Sequence, residues 1–166
     1  MIFIVFPFFW IVITALKPEQ YILVPGSIVP PSFTLEHFGK AIMGGIFTYF
    51  LNSSIVAAST TIIAISIAST GAYAITRFEF RGRNLMAWWL AVSYLIPSII
   101  LAYPLYLFLT QVGLVNSLYG LIASYLSFSI PLGIWFLRGF FLSLSKEVEE
   151  AALLDGCNYF QTLVKI

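Results

Sequence analysis

Charged side chains are scarce in this chain. Only 9% of its 166 residues are Asp, Glu, Lys or Arg, whereas a soluble domain usually contains about 25%. Hydrophobic residues make up 60% of the chain and aromatic residues 17%. This composition excludes an ordinary soluble domain and predicts an integral membrane protein.

Cysteine and histidine are almost absent, with one residue of each type, Cys157 and His37. This excludes a disulfide framework and any metal site built from Cys and His. No Walker-type or GxGxxG glycine loop is present, so nothing indicates that the chain itself binds a nucleotide. The net charge of +1 gives no indication of nucleic-acid binding.

Stretches without charge indicate where the chain crosses the membrane. Residues 41–76 and 84–137 contain no Asp, Glu, Lys or Arg, and one span needs about 20 residues. The first stretch has room for one span, and the second for two joined by a turn at 111–117, where Gly113 and Asn116 interrupt the helical pattern. Residues 1–16 form a further apolar segment, for which a signal peptide is the alternative to a span. We predict spans at about 1–16, 50–75, 85–109 and 118–137.

Basic residues predict the orientation of these spans. Six lie beside the loop after the second span or follow the fourth span (Arg77, Arg81, Arg83, Arg138, Lys146 and Lys165), and two lie between the first two spans (Lys17 and Lys40). We therefore expect the N-terminus and residues 77–83 and 138–166 in the cytoplasm, with 17–49 and 111–117 outside. No ionisable Asp, Glu, Lys, Arg or His falls inside a span, which disfavours a proton-coupled carrier.

The segment 143–166 differs from the rest of the chain in being acidic and amphipathic. Ser145 is suited to cap a helix over 146–154, and Gly156 to end it with a positive φ. Val148, Ala151 and Ala152 form a narrow apolar stripe of small side chains. An acidic helix of this kind is poorly suited to an anionic lipid surface. We therefore predict that it docks on a protein partner, and that a second short helix begins near residue 158.

The motif Glu150-Ala151-Ala152-x-x-Asp155-Gly156 resembles the EAA motif of permease subunits of binding-protein-dependent ABC importers. The segments 51–84, 96–122 and 130–141 resemble the maltose-type carbohydrate permeases of that group. The resemblance implies an all-α fold: a polytopic membrane helical bundle with about four transmembrane helices and a cytoplasmic coupling helix. The family continues beyond the position of Ile166 into further helices, so we expect 1–166 to be a partial, truncated permease domain.

The same resemblance implies partners and a role. The chain would contribute to a carbohydrate pathway in a prokaryotic inner membrane, paired with a second permease subunit and supplied by an external solute-binding protein. Cytoplasmic ABC ATPase subunits would bind and hydrolyse ATP, so we expect no cofactor and no catalytic residue in this chain. Glu150, Ala151, Ala152, Asp155 and Gly156 would couple it to the ATPase.

Residues that contact the solute are predicted from side-chain chemistry. Sugar sites combine aromatic faces with a few polar groups, and Asn52, Tyr94, Ser98 and Tyr125 offer these on the predicted spans. Two alternatives remain open. One is an ABC permease for another solute, such as a glycerol-phosphate-type compound, a polyamine or an ion, and the other is a membrane protein without transport activity.

Overall fold

The computed structural model describes residues 2–22, 24, 30 and 32–165, without the side chains of Ile2, Tyr94 and Ser98. Every regular element in these residues is a helix: α1 (Ile2–Ala15), α2 (Glu19–Ile22), α3 (Glu36–Met43), α4 (Ile46–Arg77), α5 (Arg83–Leu95), α6 (Ser98–Gln111), α7 (Leu118–Ser143), α8 (Lys146–Leu154) and α9 (Tyr159–Lys165). The chain divides into two compact units, 1–53 and 54–166. The helical fold class predicted from the sequence is confirmed.

The N-terminal unit is held together around Lys17. This residue is only 2% exposed, and its Nζ lies 4.8 Å from the centre of the Trp10 ring, a cation–π contact. A hydrogen bond of 2.8 Å joins Nε2 of His37 to the carbonyl oxygen of Lys17. The amide of Thr34 donates to the carbonyl of Leu16 over 2.9 Å. These contacts fasten the segment before α3 to the end of α1.

Helix α3 carries an exposed ion pair. Nζ of Lys40 lies 2.9 Å from the carboxylate of Glu36, one turn earlier. The hydrogen bond from Lys40 and its positive charge lower the pKa of Glu36. The hydrogen bond to Glu36 and the negative charge of Glu36 raise the pKa of Lys40. Because both side chains are exposed, the pair stabilises the helix only weakly.

Helix α4 buries one narrow face of mostly small side chains. The residues of this face recur every four positions: Val56, Thr60, Ala64, Ala68, Ala72 and Thr76. Small side chains let neighbouring helices approach closely in a membrane, where lipid supplies no hydrophobic driving force between helices. The hydroxyls of Ser66 and Thr70 lie outside this face and donate to backbone carbonyls of their own helix. The side chain of Thr76 does the same from within the buried face.

Helices α4 and α7 approach closely at two glycines. A Cβ placed on Gly133 of α7 would lie 2.8 Å from the Cβ of Ala68 on α4. A Cβ on Gly71 would lie 3.2 Å from the side chain of Ile134. Around this crossing lies the core of the C-terminal unit: Ala68, Ala72, Tyr73, Ile75, Ile134 and Phe141. The absence of two side chains therefore permits the packing of the two longest helices.

The region predicted as one span at 85–109 consists of two helices. Helix α5 ends at Leu95 and α6 begins at Ser98, with Ile96 extended at φ −72° and ψ 122°. Pro97 lacks a backbone N–H and disfavours the helical conformation for the residue before it. The proline therefore ends one helix and starts the next, so the predicted span at 85–109 consists of two successive helices and not of one continuous helix. Pro104 and Pro131, by contrast, lie inside α6 and α7.

The turn between α6 and α7 follows its prediction. Gly113 and Asn116 both adopt positive φ, 70° and 59°. Ser117 caps α7, because its hydroxyl oxygen accepts a hydrogen bond of 3.0 Å from the amide of Gly120. The two residues that interrupt the sequence pattern are therefore those that reverse the chain.

Length and hydropathy identify the helices able to cross a membrane. Within the described residues, α4 and α7 are long and apolar enough to do so, with 32 and 26 residues. The apolar helices α1 and α6 are shorter, with 14 residues each. The predicted spans near 50–75 and 118–137 thus fall within the two long helices.

Candidate functional site

Helix α8 begins where the sequence predicts. Ser145 is its N-cap, and the side-chain oxygen of this residue accepts a hydrogen bond of 3.2 Å from the amide of Glu147. Glu147 and Glu149 lie in the first turn, where negative charge interacts favourably with the positive end of the helix dipole. The predicted bounds, 146–154, are confirmed.

Gly156 ends α8 through a Schellman motif. The amide of Cys157 donates to the carbonyl of Ala152 over 3.0 Å, and the amide of Gly156 donates to the carbonyl of Leu153 over 3.1 Å. This pair of hydrogen bonds requires a left-handed residue at Gly156, whose φ is 86°. A Cβ at this position would meet no described atom within 4 Å, so only the backbone conformation opposes a side chain here.

Helix α9 follows directly, and two reciprocal hydrogen bonds cap its N-terminus. The amide of Asn158 donates to the side-chain oxygen of Gln161 over 2.9 Å, and the amide of Gln161 donates to the side-chain oxygen of Asn158 over 2.8 Å. This is a capping box. Thr162 is fully buried, and Leu163 packs against the core of the C-terminal unit. The second short helix predicted near residue 158 is confirmed and holds α8 against the bundle.

An ion pair joins α8 to the end of α4. The guanidinium of Arg77 contacts the carboxylate of Glu149 through both Nε and Nη2. The two side chains are only 8% and 9% exposed. The hydroxyl of Tyr73, one turn earlier on α4, donates to the second carboxylate oxygen over 3.3 Å. Nη2 of Arg77 also donates to the carbonyl of Leu144 over 3.2 Å.

This ion pair was not predicted from the sequence. Glu149 is not among the site residues predicted from the sequence, and the structure buries its carboxylate against Arg77 and Tyr73. The available signal was the spacing of Tyr73 and Arg77, four residues apart at the end of a span and therefore on one helix face. Two donors on one face require an acceptor when they are buried.

Aromatic rings surround the ion pair. The ring of Tyr73 makes edge contacts with Phe141 of α7 at 5.6 Å and with Phe78 at 6.1 Å between centres. Phe78 in turn contacts Tyr159 of α9 at 5.0 Å. Edge-to-face pairs at these distances are favourable beyond their buried area. The rings therefore connect α4, α7 and α9 around the buried charges.

The residues of the predicted coupling motif lie mostly on the outer side of α8. Glu150, Ala151, Asp155 and Gly156 are exposed, while Ala152 is half-buried. Val148, of the predicted apolar stripe, is 55% exposed and Leu154 is 89% exposed. Adjacent acids thus face different ways, Glu149 inward and Glu150 outward. No described part of the chain covers Val148 and Ala151 closely, and this face is available to a partner.

A cleft lies at the break between α5 and α6. It has a volume of about 980 Å³ and is bounded by residues 93–101 and by α7, within the upper range of small-molecule sites. Its polar lining includes Ser93, Ser124, Tyr125 and Ser127. The three serine hydroxyls donate to carbonyls of their own helices. Their oxygens therefore remain acceptors for hydroxyl groups of a ligand.

The predicted solute residues do not all meet at this cleft. Tyr125 lines it and is 50% exposed. Asn52 is half-buried in the N-terminal unit. The side chains of Tyr94 and Ser98 lie outside the described residues, although the backbone of these residues flanks the helix break. The structure therefore associates one of the four predicted residues with the cleft.

The fold and the site together define a polytopic membrane protein with a short amphipathic helix fastened to the ends of its long helices. The model of the family described as "Binding-protein-dependent transport system inner membrane component" matches residues 61–166. The chain belongs to this family. The matched region includes the C-terminal half of α4 and all of α5 to α9, so it contains the cleft, the ion pair and α8.

Named relatives resemble nearly the whole chain. It is 39% identical to the probable ABC transporter permease protein YurM of Bacillus subtilis, covering 100% of this chain and 55% of that protein. It is 33% identical to the trehalose/maltose transport system permease protein MalG of Thermococcus litoralis (97% and 59%). It is 32% identical to the diacetylchitobiose uptake system permease protein NgcG of Streptomyces coelicolor (99% and 55%). The chain thus spans somewhat more than half the length of these relatives.

Proposed function

We propose that this chain is a permease subunit of an ATP-binding-cassette importer and forms part of the pathway by which a carbohydrate crosses the cell membrane. The observation that carries the proposal is α8, a well-capped helix fixed to the ends of α4 and α7 with the EAA motif on its outer side. A helix so placed can transmit movement of a docked subunit to the membrane helices.

Partners follow from this role. A second permease subunit would complete the pathway, and an external solute-binding protein would deliver the solute. ATPase subunits would dock on α8 and hydrolyse ATP, so this chain would be no enzyme and would hold no cofactor of its own. Glu150 would supply a charged contact to the ATPase, while Ala151 and Gly156 would allow close approach. The exposure of these three residues supports this assignment.

Carbohydrate is the proposed solute for two reasons. The printed names of two relatives refer to trehalose/maltose and to diacetylchitobiose. The cleft beside the helix break also has the chemistry of a sugar site, with the ring of Tyr125 among serine oxygens and apolar walls. The interrupted helix supports the same assignment, because irregular backbone at membrane depth is tolerated where it lines a cavity or is buried in protein.

The uptake experiment uses the complete permease assembled with its partner subunits in proteoliposomes. We expect ATP-dependent uptake of a disaccharide, and replacement of Tyr125 by alanine should raise the apparent KM for that sugar about tenfold, the loss of one good contact worth about 1.4 kcal/mol. The measurement is the initial rate of radiolabelled uptake as a function of sugar concentration.

Tyr119→Ala is the matched control, because Tyr119 lies on the same helix, is 76% exposed and is not among the residues that line the cleft. Its KM should equal that of the wild type. Uptake of glycerol 3-phosphate or of a polyamine in place of any sugar would reject carbohydrate as the solute. Equal KM values for Tyr125→Ala and the wild type would remove Tyr125 from the pathway.

The orientation of the chain is a further part of the proposal. The ion pair keeps the end of α4 and the start of α8 together, in agreement with the six basic residues assigned to the cytoplasmic side. Single cysteines at Ser32 and at Arg81, in a Cys157→Ser background, report the two sides. In intact cells an impermeant maleimide should label the cysteine at 32 and leave the one at 81 unlabelled until the membrane is opened. The reverse pattern would invert the proposed topology.

A further inference from the structure

Besides the support that α9 gives it, α8 has two direct connections to the long helices of the bundle. The first is covalent and short, because α7 ends at Ser143 and α8 begins at Lys146, leaving two residues between them. The second is the ion pair of Glu149 with Arg77, which reaches the end of a different long helix, α4. A helix attached at one point can swing about that point, whereas a helix attached at two points moves with both of its neighbours.

The geometry of the second attachment fixes direction as well as distance. Both oxygens of Glu149 are bonded, one to the guanidinium of Arg77 and one to the hydroxyl of Tyr73. Arg77 and Tyr73 lie one turn apart on α4, so the carboxylate of Glu149 contacts two successive turns of that helix. Arg77 also donates to the carbonyl of Leu144, within the link between α7 and α8. The side chain of Arg77 therefore contacts both α8 and the link that joins α8 to α7.

Stability alone does not account for such a pair. Desolvating two charges is costly, and a buried ion pair is often no more stabilising than apolar side chains of the same size. A directional, charge-assisted hydrogen-bonded pair does supply specific geometry. The ion pair therefore suits a helix that must keep one orientation relative to α4 while a docked subunit moves it.

We propose that Arg77 is a positioning residue that locks α8 to α4 through Glu149, so that movement of α8 is passed to α4 directly and ATP hydrolysis stays coupled to transport. This inference rests on the proposed importer function and goes beyond it, because neither residue belongs to the predicted coupling motif. Tyr73 supports the lock by holding the other carboxylate oxygen.

The test measures solute transported per ATP hydrolysed by the assembled importer. In the Arg77→Met/Glu149→Met double variant, both buried charges are removed and flexible apolar side chains replace the directional bonds. We expect the complex to assemble and hydrolyse ATP within twofold of the wild type, while transport per ATP falls at least tenfold. Glu149→Gln should show the same loss, because the amide cannot replace the charged contact.

Glu147→Gln is the control, since Glu147 lies on the same helix, two residues away, and is exposed. It should keep the transport ratio of the wild type. Wild-type transport per ATP in the double variant would overturn the proposal. Failure of both Glu149→Gln and the double variant to assemble would assign the pair to folding alone and would also overturn it. Absence of uptake in the wild type would instead reject the importer function itself.

Discussion

Replacement of Gly156 by valine is expected to reduce uptake at least tenfold while the permease still inserts and pairs. The φ of 86° at this position strains a side chain with a Cβ by about 1–2 kcal/mol, and more for a β-branched residue. The Schellman hydrogen bonds to Ala152 and Leu153 would weaken, and the added bulk would face the docking ATPase. The measurements are uptake and co-purification of the ATPase with the complete permease.

Three further variants separate the backbone effect from the effect of bulk. Gly82→Val introduces the same side chain at a similar φ of 91°, also with open space around the Cβ, but outside the coupling motif. It should leave ATPase retention unchanged. Gly156→Asn is tolerated by a left-handed backbone and still adds bulk, so loss of the ATPase in this variant would identify close approach as the requirement. Ala151→Leu adds bulk without backbone strain, and we expect this variant to lose the ATPase as well.

The Gly156 prediction has a definite contrary outcome. Wild-type ATPase retention together with wild-type uptake in both Gly156→Val and Ala151→Leu would exclude α8 as the coupling helix. The docking site for the ATPase would then lie elsewhere on the exposed surface of the chain.

Replacement of Gly133 by valine is expected to prevent correct packing of α4 against α7. Its Cβ would lie 2.8 Å from the Cβ of Ala68, and a contact that short forces the two helices apart. Overpacking of a tight interface costs about 1–3 kcal/mol, with the branched side chain at the upper end. We expect a lower yield of monodisperse complex after detergent extraction and a lower Tm.

Helix α7 provides its own control for this prediction. A Cβ at Gly139 would meet no described atom within 4 Å, so Gly139→Val should keep the yield and the Tm of the wild type. Adding Ala68→Gly to the Gly133→Val variant removes the opposing Cβ and should recover part of the lost stability. If Gly133→Val and Gly139→Val have the same Tm, the close approach of α4 and α7 does not limit stability.

The parts of the site that depend on local chemistry could be predicted from the sequence. Ser145 begins α8 and Gly156 ends it, because a hydroxyl that accepts an amide hydrogen bond and a residue without Cβ act within a few positions of where they stand. Gly113 and Asn116 reverse the chain for the same reason. None of these residues needs a distant neighbour to have its effect.

The ion pair could not be predicted in this way. Glu149 and Glu150 are chemically identical neighbours, separated by about 100° around a helix of 3.6 residues per turn. Which of them turns inward depends on where the end of α4 lies relative to α8, a relation of residues more than 70 positions apart. The pattern of apolar and polar residues does not identify the inward face of α8 either, because the residue that it buries, Glu149, is charged.

The helix break illustrates a second limit. Pro97 ends α5, whereas Pro104 and Pro131 are accommodated inside α6 and α7. All three lie in long apolar stretches, and the side chain is the same in each case. Whether a proline interrupts a membrane helix depends on what satisfies the freed backbone groups, and that information resides in the tertiary structure.

The length of α4 has a consequence for the lipid around it. Its 32 residues extend for about 48 Å at 1.5 Å per residue, whereas the hydrocarbon core of a bilayer is about 30 Å thick. Even a tilt of about 40°, the upper end of the usual range, shortens the projected length only to about 37 Å. The helix must therefore project beyond the hydrocarbon, and a change in its tilt would alter how far each end emerges. A change in bilayer thickness would therefore change the preferred tilt of α4, the helix to which Arg77 belongs.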